Sequence, residues 1–531
     1  MDTVKQNSDS SAEARYRALT SERQHYLRRA HECAKLTIPS LVPTDNDQSK
    51  KNEDHELEQP WQSVGSIGVN TLAAKMLLTI LPPNTPFFMF AMGRTQRAQL
   101  TGMDPAEADK LATKIDTGLR KMETEVVREI EAGTLRTTLF GVLKHLLVAG
   151  NVLLYLGKEP KAYPLNRYVI ERDPSGNAIR MVIREIAAKS TLDPAFLAAI
   201  PNEHKDPKAQ VGPQNIEVYT VVERAGPDKW DSWQEVYKTR IPGTYGSYSD
   251  DSLAWVPLRM IAVDGEDYGR SYVEELYGDL LSADSLTKAS VQGAMIMARL
   301  LWMVNPNGLT DSDDIQEAAN GDIIEGRAED VTSLQANKYA DFQIADKALE
   351  RILVRLERAF LMASSAQRNG DRVTAFEIQK LTQEIEDTLG GYYSILAQEL
   401  QLPIVKRTTA MMHRASKLPK FPKGSIEPMI ITGISALGRG QDLNRLRGFL
   451  GDLEVAQKAG LIEPGRVSGG ELIDRLALGH MVDTAGLVKS DEELQAAAQA
   501  QQQQAMQQEL VSKATGPAIN ALSKAQAQGN Q

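Results

Sequence analysis

The sequence predicts an α+β protein, mainly α with a smaller β component, and three stretches carry that reading. Residues 105–132 repeat apolar side chains at helical spacing. Residues 168–263 gather β-branched and aromatic runs between turn residues. Residues 264–403 read as a helix, a compact acidic insert, a returning helix, a small polar loop and a long broken helix. A chain of 531 residues has the length for about two to four domains.

Taken in order, residues 1–12 (MDTVKQNSDSSA) are polar, lack an apolar signal core and read as a disordered arm. Residues 13–36 form a charged helix that ends before Pro39 and Pro43, because proline cannot continue the hydrogen-bond ladder. After a polar loop at 45–59, a helix at 62–81 buries Leu72, Met76 and Ile80 and stops at Pro82 and Pro83. Asp104 suits the cap of the helix at 105–132, Pro105 its first turn and Gly133 its exit. Its apolar stripe is Leu111, Ile115, Leu119, Met122, Val126 and Ile130. A helix at 135–149 leads into a buried strand at 151–156. Strands at 168–170 and 179–183 flank DPSGN, which has hairpin-turn chemistry. Runs at 216–222, 233–238 and 255–263 extend a small sheet, with a polar loop at 201–214.

The turn DGEDYGRS at 264–271 launches a mostly uncharged helix at 272–300, rich in Gly, Ala and Ser, including Gly278, Ser282, Ala283 and Ser290. At ~1.5 Å per residue it spans roughly 40 Å. Alone it would expose apolar surface, so it is expected to pack against neighbouring subunits. The insert at 305–342 is acidic, with Asp311, Asp313, Asp314, Glu317, Asp322, Glu325, Glu329, Asp330 and Asp341 against Arg327 and Lys338. Short strands are expected in it at 322–324 and 331–334. The returning helix, 344–362, sets Ala345, Leu349, Ile352, Leu356, Ala359 and Phe360 on one face and Lys347, Arg351, Arg355 and Arg358 on the other. The loop after it carries Arg368, Asn369 and Arg372. A helix at 374–401 is kinked at Gly390-Gly391, and Pro403 bends the chain beyond it. Residues 432–440 hold a Gly-rich turn, 442–480 read as two or three helices, and the end of the chain is Ala/Gln-rich low complexity.

Function classes are narrowed mostly by what is missing. The net charge of −10 disfavours a static nucleic-acid binder. It allows a protein that surrounds DNA and lets it slide, since every phosphate contact adds salt-sensitive grip. One cysteine, Cys33, allows neither an intrachain disulfide nor a cysteine-rich zinc site. No uninterrupted apolar run is long enough to span a bilayer, so no membrane insertion is expected. The GxxxxGK[ST], GxSxG and HExxH patterns do not occur, and Gly438-Arg439-Gly440 lacks the third glycine of a dinucleotide loop. Glu384, Glu386 and Asp387 read as a solvated helix face, and Asp311-Ser312-Asp313-Asp314 lacks the glycine and terminal glutamate of an EF-hand loop. No catalytic centre, metal or cofactor is expected. Arg368 and Arg372 read either as an ordinary surface turn or as guanidinium groups offered to phosphates.

Several long words occur in a fixed order: TIPSLVPTD at 37–45, PWQSVGSIGVNTLAAKM at 60–76, LLVAGNVLLYL at 146–156 and DGEDYGRSYVEELYGDL at 264–280. They continue as NPNGLT at 305–310, GDIIEGRAEDVTSLQ at 321–335, QRNGDRVTAFEI at 367–378, EIEDTLGGYYSILAQELQLP at 384–403 and GRGQDL at 438–443. On these words the chain resembles the portal proteins, the head-to-tail connectors of short-tailed phages (podoviruses) of the autographivirus type. The resemblance implies a dodecameric ring at the head-tail vertex of the virion, assembled in the host cytoplasm. Its parts would be a wing (13–270), stem helices (271–300 and 343–362), a clip (301–342), a tunnel loop (363–375), a kinked helix returning to the wing (376–431) and a crown (432–490). The arm at 1–12 and the tail at 491–531 inherit nothing from it. It implies that double-stranded DNA is packaged and ejected through the channel and that the ring nucleates procapsid assembly. The terminase large subunit and later tail adaptor and tubular proteins would dock on the clip, where Asp311, Asp313, Asp314, Glu325 and Arg327 are the candidate surface. The major capsid protein, scaffold and internal core proteins would be further partners. Arg368, Asn369 and Arg372 would face DNA, while Lys347, Arg351, Arg355 and Arg358 would line the channel or pair with a neighbouring stem. The alternatives are an internal core or scaffold protein and a virion-associated hydrolase. A monomer or open filament would favour these, and a closed ring would not.

Overall fold

The computed structural model describes residues 11–43, 59–83, 86–93, 105–188, 215–297, 301–334, 339–362, 384–385, 388–389, 396–419, 426–430, 448–455, 458, 469 and 472–473. The chain divides into two units, Met1–Ala436 and Leu437–Gln531. In the second unit residues 448–455 are helical. All other elements below belong to the first.

Helix α1 (Ala12–Lys35) starts where the Ser11 side chain accepts the Ala14 N–H, a cap that satisfies one of the free amides of the first turn. Helix α2 (Val64–Ile80) is followed by strand β1 (Phe88–Met92) and then by helix α3 (Pro105–Ala132). Helix α4 (Leu135–Ala149) ends at Gly150, whose φ of 72° lets the chain turn sharply into strand β2 (Asn151–Tyr155). Leu72 and Met76 of α2 and Leu139, Leu143 and Leu146 of α4 are fully buried, so these two helices form the centre of the core. The stripe of α3 is only partly inward: Leu119, Met122, Val126 and Ile130 are buried, whereas Leu111 is exposed. The sequence pattern continues one turn further than the core it packs on.

Two sheets flank the helices. Strands β2, β3 (Lys161–Pro164) and β10 (Trp255–Arg259) form an antiparallel sheet in the order β10-β2-β3. The second sheet runs β4 (Tyr168–Arg172), β5 (Ala178–Ala188), β6 (Asn215–Gly226), β7 (Lys229–Val236) and β8 (Thr239–Arg240), with β9 (Gly246–Tyr248) also on β7. The β4–β5 hairpin turns where expected, with the Asp173 carboxylate accepting from the Asn177 backbone at 2.8 Å and Gly176 at φ 82°. The expected strand at 233–238 ends two residues earlier, because Tyr237 and Lys238 take positive φ in the turn to β8. Strand β13 (Ile426–Ile430), which sequence patterning did not reveal, pairs antiparallel with β1.

The expected helix at 272–300 is interrupted. It begins as one turn, α5 (Tyr272–Glu275), capped by the Ser271 hydroxyl, and resumes after Leu276 as α6 (Tyr277–Met297). Strand β11 (Leu301–Val304) leads into the insert and pairs antiparallel with β12 (Val331–Leu334). Between them lies a short helix, α7 (Ser312–Glu317). The strand expected at 322–324 is absent: this segment has no ladder partner, and Ile323 is 99% exposed. The return is α8 (Tyr339–Ala359). Later, Ala397–Gln401 forms a π-helical segment that runs into α9 (Leu402–Arg414). Pro403 lies where the π-helical segment passes into α9, so the helix continues through it rather than ending there.

Candidate functional site: the helical hairpin, its tip and its anchors

Helices α6 and α8 lie side by side with opposite directions. Asp279 near the start of α6 meets Arg355 near the end of α8, and Ser290 further along α6 meets Asp346 near the start of α8 at 3.2 Å. The Arg355 guanidinium binds the Asp279 carboxylate with two bonds, 2.7 and 3.1 Å long, and that contact raises the Arg355 pKa. Leu280 and Ala283 of α6 and Leu356 of α8 are fully buried in the hairpin and its base. Leu281, Val291, Met295 and Ile296 of α6 are exposed. On a helical wheel Leu281, Val291 and Met295 lie within an arc of about 80°, on the side away from Asp279 and Ser290.

Lys347, Arg351, Arg355 and Arg358 follow spacings of four, four and three, so they share a face about 80° wide, opposite the apolar seam. All four are exposed. Arg355, at the edge of that face, is held by Asp279 of its own chain rather than left for a neighbour. Lys347, Arg351 and Arg358 form no ion pair among the described residues.

At the far end, Asp330 organises the tip. Its carboxylate accepts from the Leu309 amide at 3.0 Å and the Thr310 hydroxyl at 3.3 Å, while its carbonyl accepts from the Asn305 amide at 2.9 Å. Thr310 also accepts the Arg327 amide at 2.8 Å, which ties the two ends of the insert together. Asp311 caps α7 by accepting the Asp313 amide, so one member of the candidate docking surface has a structural task. Asp313, Asp314, Glu325 and Arg327 are exposed, as are Trp302, Met303, Leu309 and Ile323.

The base is fixed by the DGEDYGRS turn. Asn151 and Gly269 exchange two hydrogen bonds: the Asn151 amide donates to the Gly269 carbonyl at 2.6 Å, and the Gly269 N–H donates to Asn151 Oδ1 at 2.7 Å. A side chain on Gly150 would meet the Arg270 backbone at 2.5 Å, so this crossing needs glycine. Tyr268 is buried and its hydroxyl accepts the Ile170 amide, while Asp267 accepts the Arg172 amide. The other limb of the hairpin is held at its C-terminus. Tyr272 donates to the Ala359 carbonyl and Lys75 to the Leu361 carbonyl at 2.6 Å, placing a cation where the helix dipole favours one. Burial lowers the Lys75 pKa, and Glu384 opposes that shift. Phe360 presses on Gly68 of α2 so closely that a Cβ there would lie 2.5 Å from the ring. Asp284 of α6 accepts the Trp61 amide at 2.6 Å.

The tunnel-loop candidates Arg368, Asn369 and Arg372 lie outside the described residues, as do the Gly-rich turn and the Gln-rich end. Cys33 is buried, and desolvation raises its thiol to about 11, so it is a packing residue rather than a nucleophile. Among the described residues no three His, Cys, Asp or Glu side chains gather to hold a metal. Sequence reasoning missed the anchors Asn151, Lys75, Asp279 and Asp330. A polar residue inside an apolar word, as in AGNVLLYL, is the one signal that pointed to Asn151.

The model of the family described as "Bacteriophage head to tail connecting protein" matches residues 9–485. The chain belongs to that family. The portal protein of Enterobacteria phage T3 is 39% identical over 498 residues, covering 92% of this chain and 90% of the relative. The portal protein of Escherichia phage T7 is 38% identical over 510 residues, covering 94% and 91%. That of Enterobacteria phage SP6 is 32% identical over 505 residues, covering 94% of each. The chain is thus a head-to-tail connector of portal type, and neither a scaffold nor a hydrolase reading is favoured.

Proposed function

We propose that copies of this chain close into a ring, on the order of twelve subunits, around a channel that passes double-stranded DNA into and out of the capsid. The observation that carries this is the hairpin itself. It offers an exposed apolar stripe on α6 and a row of exposed cations on α8, of which only Arg355 is paired among the described residues. In a radial array the apolar stripe meets the next hairpin and the cations turn to the lumen. A sparse basic row on a chain of net charge −10 suits DNA that must slide rather than stick.

In this arrangement the body (13–270) is the wing and α5, α6 and α8 are the stem. The β11–β12 ribbon with α7 is the clip, 363–375 the tunnel loop, 376–431 the return to the wing and 432–490 the crown. The clip surface around Asp313, Asp314, Glu325 and Arg327 takes the packaging motor's terminase subunit first and tail proteins later. Capsid, scaffold and core proteins meet the ring elsewhere, and the ring sits at the head-tail vertex after assembly in the host cytoplasm. The protein acts as conduit and dock, not as an enzyme, and the motor supplies the work.

The test is packaging. Replacing Lys347, Arg351 and Arg358 together with glutamine is expected to leave rings assembled but to lower DNA packaged or retained per particle about tenfold. Arg368→Ala with Arg372→Ala tests the loop in the same assay. Unchanged packaging and retention in both variants contradicts a DNA-facing role for these residues.

A further inference from the structure

A pocket of about 320 Å³ opens between α1 and strands β5 and β6, away from the hairpin. Tyr16, Arg17 and Arg23 of α1, Arg184 of β5, and Glu217 and Tyr219 of β6 line it. Its volume lies in the range of small-ligand sites. Arg17 is bound to Glu13, and Arg184 lies 3.7 Å from Glu217.

Arg23 is different. It is only 2% exposed, yet it forms no ion pair among the described residues. One of its terminal nitrogens, Nη1, donates to three uncharged oxygens: the Tyr16 hydroxyl at 2.7 Å and the carbonyls of Asn166 and Tyr168 at 3.1 and 3.0 Å. Its Nε is buried with no hydrogen-bond partner among the described residues. A guanidinium keeps its charge under any folding condition, and a buried charge is costly unless paired. Two guanidinium groups lie over the Tyr16 ring, Arg23 at 5.3 Å and Arg184 at 5.5 Å from its centroid. Those contacts stack the cations but supply no anion.

We propose that this pocket binds a small oxyanion, a carboxylate or a phosphate, as the missing counter-charge of Arg23, with Arg184 and Arg17 at its mouth. Planar guanidinium forks match such groups geometrically. The site is on the wing body, so it would act independently of the channel.

The experiment is calorimetric titration of the intact full-length protein with sodium glutarate and, separately, sodium phosphate, against sodium chloride at matched ionic strength. One saturable site per chain is expected with at least one probe, weakened about tenfold by Arg184→Gln and by Arg17→Gln. Binding of glutarate alone assigns an acidic side chain or small carboxylate as the occupant, and binding of phosphate alone assigns a phosphate group. Arg23→Met is expected to abolish binding. If that variant does not fold, the two mouth variants decide the matter alone. No saturable heat from either probe, or affinity unchanged in both mouth variants, overturns the proposal.

Discussion

At the scale of single residues, His145 shows how burial becomes a pH effect. Desolvation, aided by the neighbouring Lys144 charge, lowers its pKa from 6.5 to about 4, and among the described residues its buried Nδ1 has no hydrogen-bond partner. The native state therefore holds the ring neutral while the unfolded chain protonates it. That contribution to stability is whole above pH 6.5 and is lost as pH falls through the interval down to about 4. Its ceiling is about 3 kcal/mol, less whatever the partly accessible ring recovers from solvent. His145→Leu should therefore gain on the wild type as urea melts move from pH 7 to pH 4.5; parallel stability curves would contradict this. None of it was legible in the sequence, where His145 is one polar residue in an apolar helix. The hairpin turn at 173–177 was legible, because Asp, Pro, Gly and Asn each fix a local conformation without help from distant chain.

At the scale of elements, the hairpin is rooted by close approach more than by charge. Gly68→Ala places a methyl group against the Phe360 ring at the end of α8, and overpacking of this kind costs about 1–3 kcal/mol. Because the two residues touch, combining it with Phe360→Leu should cost less than the sum of the separate changes, as read from denaturant midpoints. Strict additivity would show that the contact does not anchor the hairpin. The two limbs of this hairpin were readable from small residues on one helix and an amphipathic pattern on the other. The strand at 331–334 was readable too and is β12, but the break at Leu276 and the partner strand β11 were not. Strand β11 is defined by a pairing between residues about thirty apart, which no local pattern encodes. The strand expected at 322–324 failed for the converse reason: Asp-Ile-Ile has strand propensity but finds no partner within one chain.

At the scale of the whole molecule, the ordered words of the sequence disclosed the family long before any site was visible, and the family match over residues 9–485 agrees with them. No catalytic motif was found in the sequence, and the proposed conduit would need repetition around an axis rather than converging catalytic groups. The cationic row was legible from spacing alone. That Arg355 is taken by Asp279 was not, since it requires knowing how α6 lies on α8. The proposed ring stands or falls on whether the exposed stripe Leu281, Val291 and Met295 is a subunit interface. Native mass spectrometry of the full-length protein, with images of the same sample, answers that. A closed ring of about twelve copies with a central hole is expected, together with its loss to monomers of unchanged melting temperature when those three residues become glutamate. A monodisperse monomer of the wild-type chain at high concentration, or rings that persist in the triple variant, would contradict it.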